Sequence, residues 1–79
     1  MKATVLVRPK RGILDPQGEA VEDALAHLGF SVSAARVGKI VDLELEVADV
    51  EAARAQVEQM CEQLLANPLI ESYEVEIHG

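Results

Sequence analysis

Tryptophan is absent, and phenylalanine and tyrosine occur once each, as Phe30 and Tyr73. Single-stranded nucleic acid is held by bases stacked on aromatic side chains, so this chain has almost no platform for it. Cysteine also occurs once, at Cys61, which excludes an internal disulfide and any paired-cysteine metal motif. No apolar run approaches the ~20 residues that a membrane helix needs. The short apolar run near the N-terminus meets Arg8, Lys10 and Arg11 at once and does not read as a signal peptide. These absences set the expectation of a cytoplasmic protein with no membrane partner.

Basic residues are scarce as well. Seven Lys and Arg stand against fourteen Asp and Glu, for a net charge of −7. The split is uneven: residues 1–41 carry six basic and four acidic groups (+2), and residues 42–79 carry one basic and ten acidic (−9). So acidic a chain repels a phosphate backbone, which argues against nucleic acid as a partner.

What the chain does have is aliphatic material, at 49% hydrophobic residues in 79. That suffices for a single folded domain over residues 1–79. Ordering such a chain costs about 1.5 kcal/mol per residue, on the order of 120 kcal/mol in all, which nearly cancels the burial gain. With neither disulfide nor metal as a staple, borrowing core from a second copy is the expected remedy. Self-association to a dimer or higher oligomer follows.

Periodicity predicts six elements. Residues 2–8 are β-branched and closed by Pro9, a strand. Asp15-Pro16 reads as an N-cap with proline at the first helical position, and Val21, Ala24, Leu25 and Leu28 recur at helical spacing before Gly29. Gly18, early in that helix, costs roughly 1 kcal/mol against alanine. Phe30–Val37 is expected as a second strand and Ile40–Val47 as a third, alternating Val41, Leu43, Leu45 and Val47 with Asp42, Glu44 and Glu46. Asp49 caps a second helix over 50–66, with Val50, Ala53, Val57, Met60, Cys61 and Leu64 as its apolar stripe, ended by Asn67-Pro68. Leu69–Ile77 is the last strand. The order β-α-β-β-α-β is α+β and ferredoxin-like, a four-stranded antiparallel sheet with two helices on one face. That fold serves many unrelated functions.

Catalytic chemistry is hard to find. Glu44, Glu46, Glu74 and Glu76 alternate on strands and read as a solvated sheet face. Cys61 lies in an apolar stripe, where a thiol acts as a small hydrophobe, and His27 suits the negative end of its helix. Gly38-Lys39 is followed by Ile40 and is not a phosphate loop. No catalytic, cofactor-binding or metal-ligating residue is assigned.

Three segments remain: Lys10-Arg11-Gly12, Asp15-Pro16-Gln17-Gly18 and Arg36-Val37-Gly38-Lys39. Each reads as a solvated turn, a helix start or a hairpin. Together they also read as a positive patch on an acidic chain, suited to docking a partner. The candidate partner-binding residues are Lys10, Arg11, Gly12, Asp15, Gln17, Gly18, Arg36, Gly38 and Lys39. An alternative is a regulatory small-molecule module like the ACT domain, which uses the first strand–helix turn, here Gly12 to Gly18.

Read together, Gly12-Ile-Leu-Asp-Pro-Gln-Gly18, Ala24-Leu25, Leu28-Gly29-Phe30, Arg36-Val37-Gly38-Lys39 and the run from Cys61 to Glu71 resemble the PurS family signature. The match runs from about Val7 to Ile77. Lys10-Arg11-Gly12 stands where the family often has Lys-Pro-Gly, and Ile40 where an aromatic often follows Gly-Lys. The resemblance implies a small subunit of phosphoribosylformylglycinamidine synthase in purine biosynthesis. It would join a large ATP-dependent synthetase subunit to a glutaminase subunit and help ammonia pass between them, with no catalysis of its own. The complex would use ATP and Mg²⁺, with no cofactor on this chain.

Overall fold

Every strand pairing in the computed structural model, which describes residues 1–78, passes through β1 (Lys2–Pro9). The elements that follow are α1 (Pro16–His27), β2 (Lys39–Glu44), α2 (Val50–Met60), a single π-turn (Cys61–Leu65) and β3 (Glu71–His78). The sheet has the order β2-β1-β3 with both pairings antiparallel. Val5 lies between Val41 and Val75, and Ala3 between Leu43 and Ile77, so one face of all three strands is aliphatic. α2 covers that face. Ala3, Val5, Val7, Val57, Cys61 and Ala66 form the buried cluster, with Val41, Leu43, Leu65, Tyr73 and Val75 packed around it. Each fully buried valine contributes roughly 1.5–3 kcal/mol.

The α+β class and both helices agree with the sequence, but the sheet has three strands rather than four. Residues 30–37 form no strand, and Phe30 and Val32 remain 60% and 40% exposed. The reason lies at the end of the segment. Arg36 Nη2 donates to the Pro9 carbonyl, and the Val37 N–H donates to Asp15 Oδ2 at 2.9 Å. The chain is thereby drawn across the end of β1 and enters β2 from that side. Held there by groups outside the sheet, residues 36 and 37 do not open a hairpin with β2. The expected ferredoxin-like arrangement is corrected accordingly.

Helix ends follow their local chemistry. Asp49 accepts from Ala52 N–H at 3.0 Å and starts α2 as a side-chain cap. The Ala66 N–H to Cys61 carbonyl bond, 3.0 Å, closes the π-turn and rotates the helix by part of a turn. Leu64 consequently leaves the apolar stripe and is 81% exposed, and Leu65 packs against the core in its place. Asn67 organises the turn to β3: its side chain accepts from Leu69 N–H and its carbonyl from Ile70 and Glu71 N–H. Among the described residues no helix is long and apolar enough to cross a membrane.

α1 is different, because Gly18 is its one buried residue. Its stripe is left open, with Val21 39% and Leu28 73% exposed. The radius of gyration, 15.8 Å, exceeds the roughly 12 Å of a compact chain of this length. The accessible surface of 5754 Å² exceeds the about 4,700 Å² of a typical monomer of this mass. The excess, roughly 1,000 Å², is close to what one partner buries in a standard interface, about 800 Å². The protein should therefore sediment as a dimer or larger species at micromolar concentration. Leu28→Asp, on the open stripe, should shift it toward monomer with an unchanged far-ultraviolet circular dichroism spectrum. A stable wild-type monomer would refute this account of α1.

Candidate functional site

The three segments singled out in the sequence converge on one end of the sheet, where β1 finishes and β2 begins. Pro9 has no N–H to offer toward β2, where pairing ends at Val7–Lys39, and the chain turns through Lys10–Gly12, with Gly12 at φ +81°. Lys10 binds the α2–β3 connection twice: its N–H donates to the Ile70 carbonyl at 2.9 Å and its Nζ to the Pro68 carbonyl at 2.6 Å. The Arg36 guanidinium holds the Pro9 carbonyl from the other side.

Asp15 sits at the N-cap position of α1 with extended backbone, yet its side chain makes no capping hydrogen bond. It reaches instead to Val37. That N–H, helped by the nearby Gly18 N–H and to a lesser degree by the Gln17 N–H and the Arg36 charge, holds the Asp15 carboxyl below the usual carboxylate range despite the opposing effect of burial. Gly18 completes the clamp. A Cβ there would overlap the Ala35 carbonyl and lie 2.7 Å from Asp15 Oδ2. Gly38 does the same on β1, where a Cβ would overlap the Val7 carbonyl oxygen. Close approach of backbone to backbone explains both glycines.

The nine candidate residues thus divide. Asp15, Gly18 and Gly38 hold the backbone, and Lys10 and Arg36 each tether a carbonyl. Arg11, Gly12, Gln17 and Lys39 are exposed. Arg36, Gly38 and Lys39 line an open cleft of about 660 Å³ with Leu6, Arg8 and Ile40. Sequence reasoning overlooked Leu6, Arg8 and Ile40. Strand alternation places them on the face opposite Val5 and Val7, and pairing sets Leu6 beside Ile40.

Elsewhere the chemistry is structural. Cys61 is fully buried, and burial, reinforced by the Glu62 and Glu58 charges, pushes its thiol up, away from thiolate. The Tyr73 hydroxyl donates to Glu62 Oε1 at 2.9 Å, and that bond raises its pKa, with burial and the nearby negative charges adding. On the open sheet face, Thr4 Oγ1 lies 2.9 Å from Asp42 Oδ1 and 3.1 Å from His78 Nε2. Here the hydroxyl bridges the other two groups. A catalytic relay would put the imidazole in the middle, so this row is a cross-strand tie. Among the described residues no three His, Cys, Asp or Glu side chains converge to hold a metal ion.

Comparison with known proteins takes in nearly the whole chain. Residues 2–79 match the PurS family, described as phosphoribosylformylglycinamidine (FGAM) synthase. The chain is similar to the phosphoribosylformylglycinamidine synthase subunit PurS of Methanocaldococcus jannaschii, 40% identical over 77 residues, covering 96% of this chain and 93% of that one. It is similar in structure to PurS of Bacillus subtilis, with a TM-score of 0.86 at 40% identity, covering 99% and 98% of the two chains. A chain in the structure of PurLQS from Thermotoga maritima superposes with a TM-score of 0.84 at 38% identity, over 95% and 93%.

The clamp has a measurable signature. Gly18→Ala should lower stability by roughly 1–3 kcal/mol, because the Ala35 carbonyl must move. Asp15→Ala should lower the melting temperature at neutral pH. The depressed carboxyl makes the Asp15 contribution fully present above the unfolded pKa, near 3.8, and lost as pH falls through the lower folded value. The gap in melting temperature between wild type and Asp15→Ala should stay constant from about pH 5 to 8 and close below about pH 4. A gap independent of pH down to full protonation would show that the carboxylate is not what holds the loop.

Proposed function

The chain belongs to the PurS family of phosphoribosylformylglycinamidine synthase, and on that premise we propose that it is the non-catalytic small subunit of that synthase, bridging a glutaminase subunit and a synthetase subunit and assisting ammonia transfer between them. The complex converts formylglycinamide ribonucleotide, glutamine, ATP and water to formylglycinamidine ribonucleotide, glutamate, ADP and phosphate. One observation carries the reading. Three motif segments far apart in sequence meet at one end of the sheet, and their polar groups position backbone and basic side chains there. The buried thiol, raised above its ordinary pKa, supports a chain that does not itself attack glutamine. The Thermotoga maritima relative described as part of PurLQS supports association with the other subunits.

In this reading residues 1–79 act as one domain, in the cytoplasm, and pair with a second copy as well as with the two larger subunits. ATP and Mg²⁺ are handled by the synthetase subunit. Its part is to hold two sites in register, so that ammonia released in one is consumed in the other. The docking surface is the motif end, with Lys10, Arg11, Gly12, Gln17, Arg36 and Lys39 facing the partner and Asp15, Gly18 and Gly38 setting their positions.

Reconstitution tests this. In Arg11→Ala and Arg36→Ala complexes the glutamine-dependent rate should fall, and the ammonia-dependent rate should suffer less because free ammonia bypasses transfer. Loss of a buried charged contact costs on the order of 2–5 kcal/mol, and loss of a rim contact mainly slows association. Arg11 is the cleaner probe, since Arg36 also tethers Pro9. Cys61→Ala should keep both activities and cost roughly 1–2 kcal/mol of stability through a small cavity. Lost glutamine turnover in a folded, assembled Cys61→Ala complex would overturn the structural role of that cysteine.

A further inference from the structure

The open cleft at the start of β2 collects three of the chain's seven basic residues, Arg8, Arg36 and Lys39, around an apolar floor of Leu6 and Ile40. In a chain of net charge −7 that concentration needs a cause. The fold supplies it, because Gly38 lets loop 36–38 lie against the Val7 backbone and so brings Arg36 and Lys39 to the end of β1. The cations are held but only partly neutralised. Arg36 spends one nitrogen on the Pro9 carbonyl and has the Asp15 carboxylate nearby, and the Lys39 ammonium makes no hydrogen bond or ion pair among the described residues. Arg8 has a single exposed partner, Glu74, at 3.5 Å, with the two side chains 62% and 66% accessible. Such a pair is weak and readily exchanged for a better carboxylate. The floor is equally unused, with Ile40 65% exposed.

We infer that this cleft receives an acidic, partly apolar segment of a partner subunit, one carboxylate entering among Arg8, Arg36 and Lys39 while an adjacent aliphatic side chain covers Leu6 and Ile40. The inference rests on the bridging role and names the chemistry of one contact within it. Charge complementarity and the apolar floor choose this occupant over a small phosphate. No converging backbone N–H groups add to the cations here, since the Val37 N–H is committed to Asp15, and a free phosphate would leave the aliphatic floor uncovered. Arginine forks suit a carboxylate, and the aliphatic floor suits the chain that carries it.

The test uses Arg8 and Lys39, which hold no backbone. Wild type, the double variant Arg8→Gln/Lys39→Gln and the double variant Arg8→Glu/Lys39→Glu are titrated into the glutaminase and synthetase subunits by calorimetry at several salt concentrations. Sedimentation and melting of each isolated variant check self-association and fold. The glutamine pair should weaken assembly about tenfold and the glutamate pair about a hundredfold, with a shallower salt dependence in both. Isolated variants should melt and self-associate as wild type does. If wild type assembles and both variants match it in affinity and salt slope, the cleft is not the contact and the bridging role stands without it. If wild type binds neither subunit, the bridging role itself fails and the inference with it. Inorganic phosphate that binds the isolated wild-type chain below millimolar concentration, and loses that binding in the glutamine pair, would make the cleft a small-anion site instead.

Discussion

β1 is the one strand with a neighbour on each side, and its inward row is Ala3, Val5 and Val7. Everything else is arranged around the smallness of that row. Side chains of this size let Val57 and Cys61 of the α2 segment sit close on the sheet, which gives a dry but thin core. The row is too short to shelter a second helix as well. α1 therefore stands with its stripe open, and the chain is longer and more accessible than a self-sufficient fold of 79 residues. A thin core and an unsatisfied helix have one common remedy, another molecule.

The end of β1 sets the second constraint. Pairing toward β2 ends before Pro9, whose carbonyl Arg36 takes; Lys10, next along, takes the Pro68 carbonyl. Asp15 and the two close-packed glycines fix the intervening backbone. The result is a division of labour within each motif. Acid and glycine define where the loops lie, and basic side chains protrude from loops so placed. That arrangement suits recognition of a partner's surface, because orientation is settled before binding and little entropy is lost in it.

Much of this was legible in the sequence, for identifiable reasons. Long-period patterns survived: the β-branched run of β1, the alternation from Val41 to Leu45, and the stripe through Ala53 and Val57 each appear where expected. The resemblance to the PurS family, carried by Asp15–Gly18, Arg36–Lys39 and Cys61–Glu71, holds over residues 2–79. What failed was local competition. Residues 30–37 have strand-like side chains but form no strand, and their C-terminal end is fixed instead by Asp15, which takes the Val37 N–H from 22 residues away. No pattern within the segment reports that. The Asp15 side chain was expected to cap α1 for the same reason: its sequence neighbours suggest the cap, and its partner lies in another loop. The π-turn at Cys61 likewise moves Leu64 out of a stripe that regular helical spacing would keep intact. The cleft was half visible, since Arg36 and Lys39 stand in a motif, whereas Arg8, Leu6 and Ile40 join it only through strand pairing.

The central claim is that this chain couples two active sites while containing neither. The most direct measurement is the yield of formylglycinamidine ribonucleotide per glutamine hydrolysed, with the glutaminase and synthetase subunits mixed in the presence and absence of this chain. With it, the yield should approach one product per glutamine. Without it, glutamine hydrolysis and synthesis should run uncoupled, and synthesis should persist when ammonia is supplied directly. A yield near one without this chain, or turnover of glutamine or ATP by this chain alone, would contradict the account.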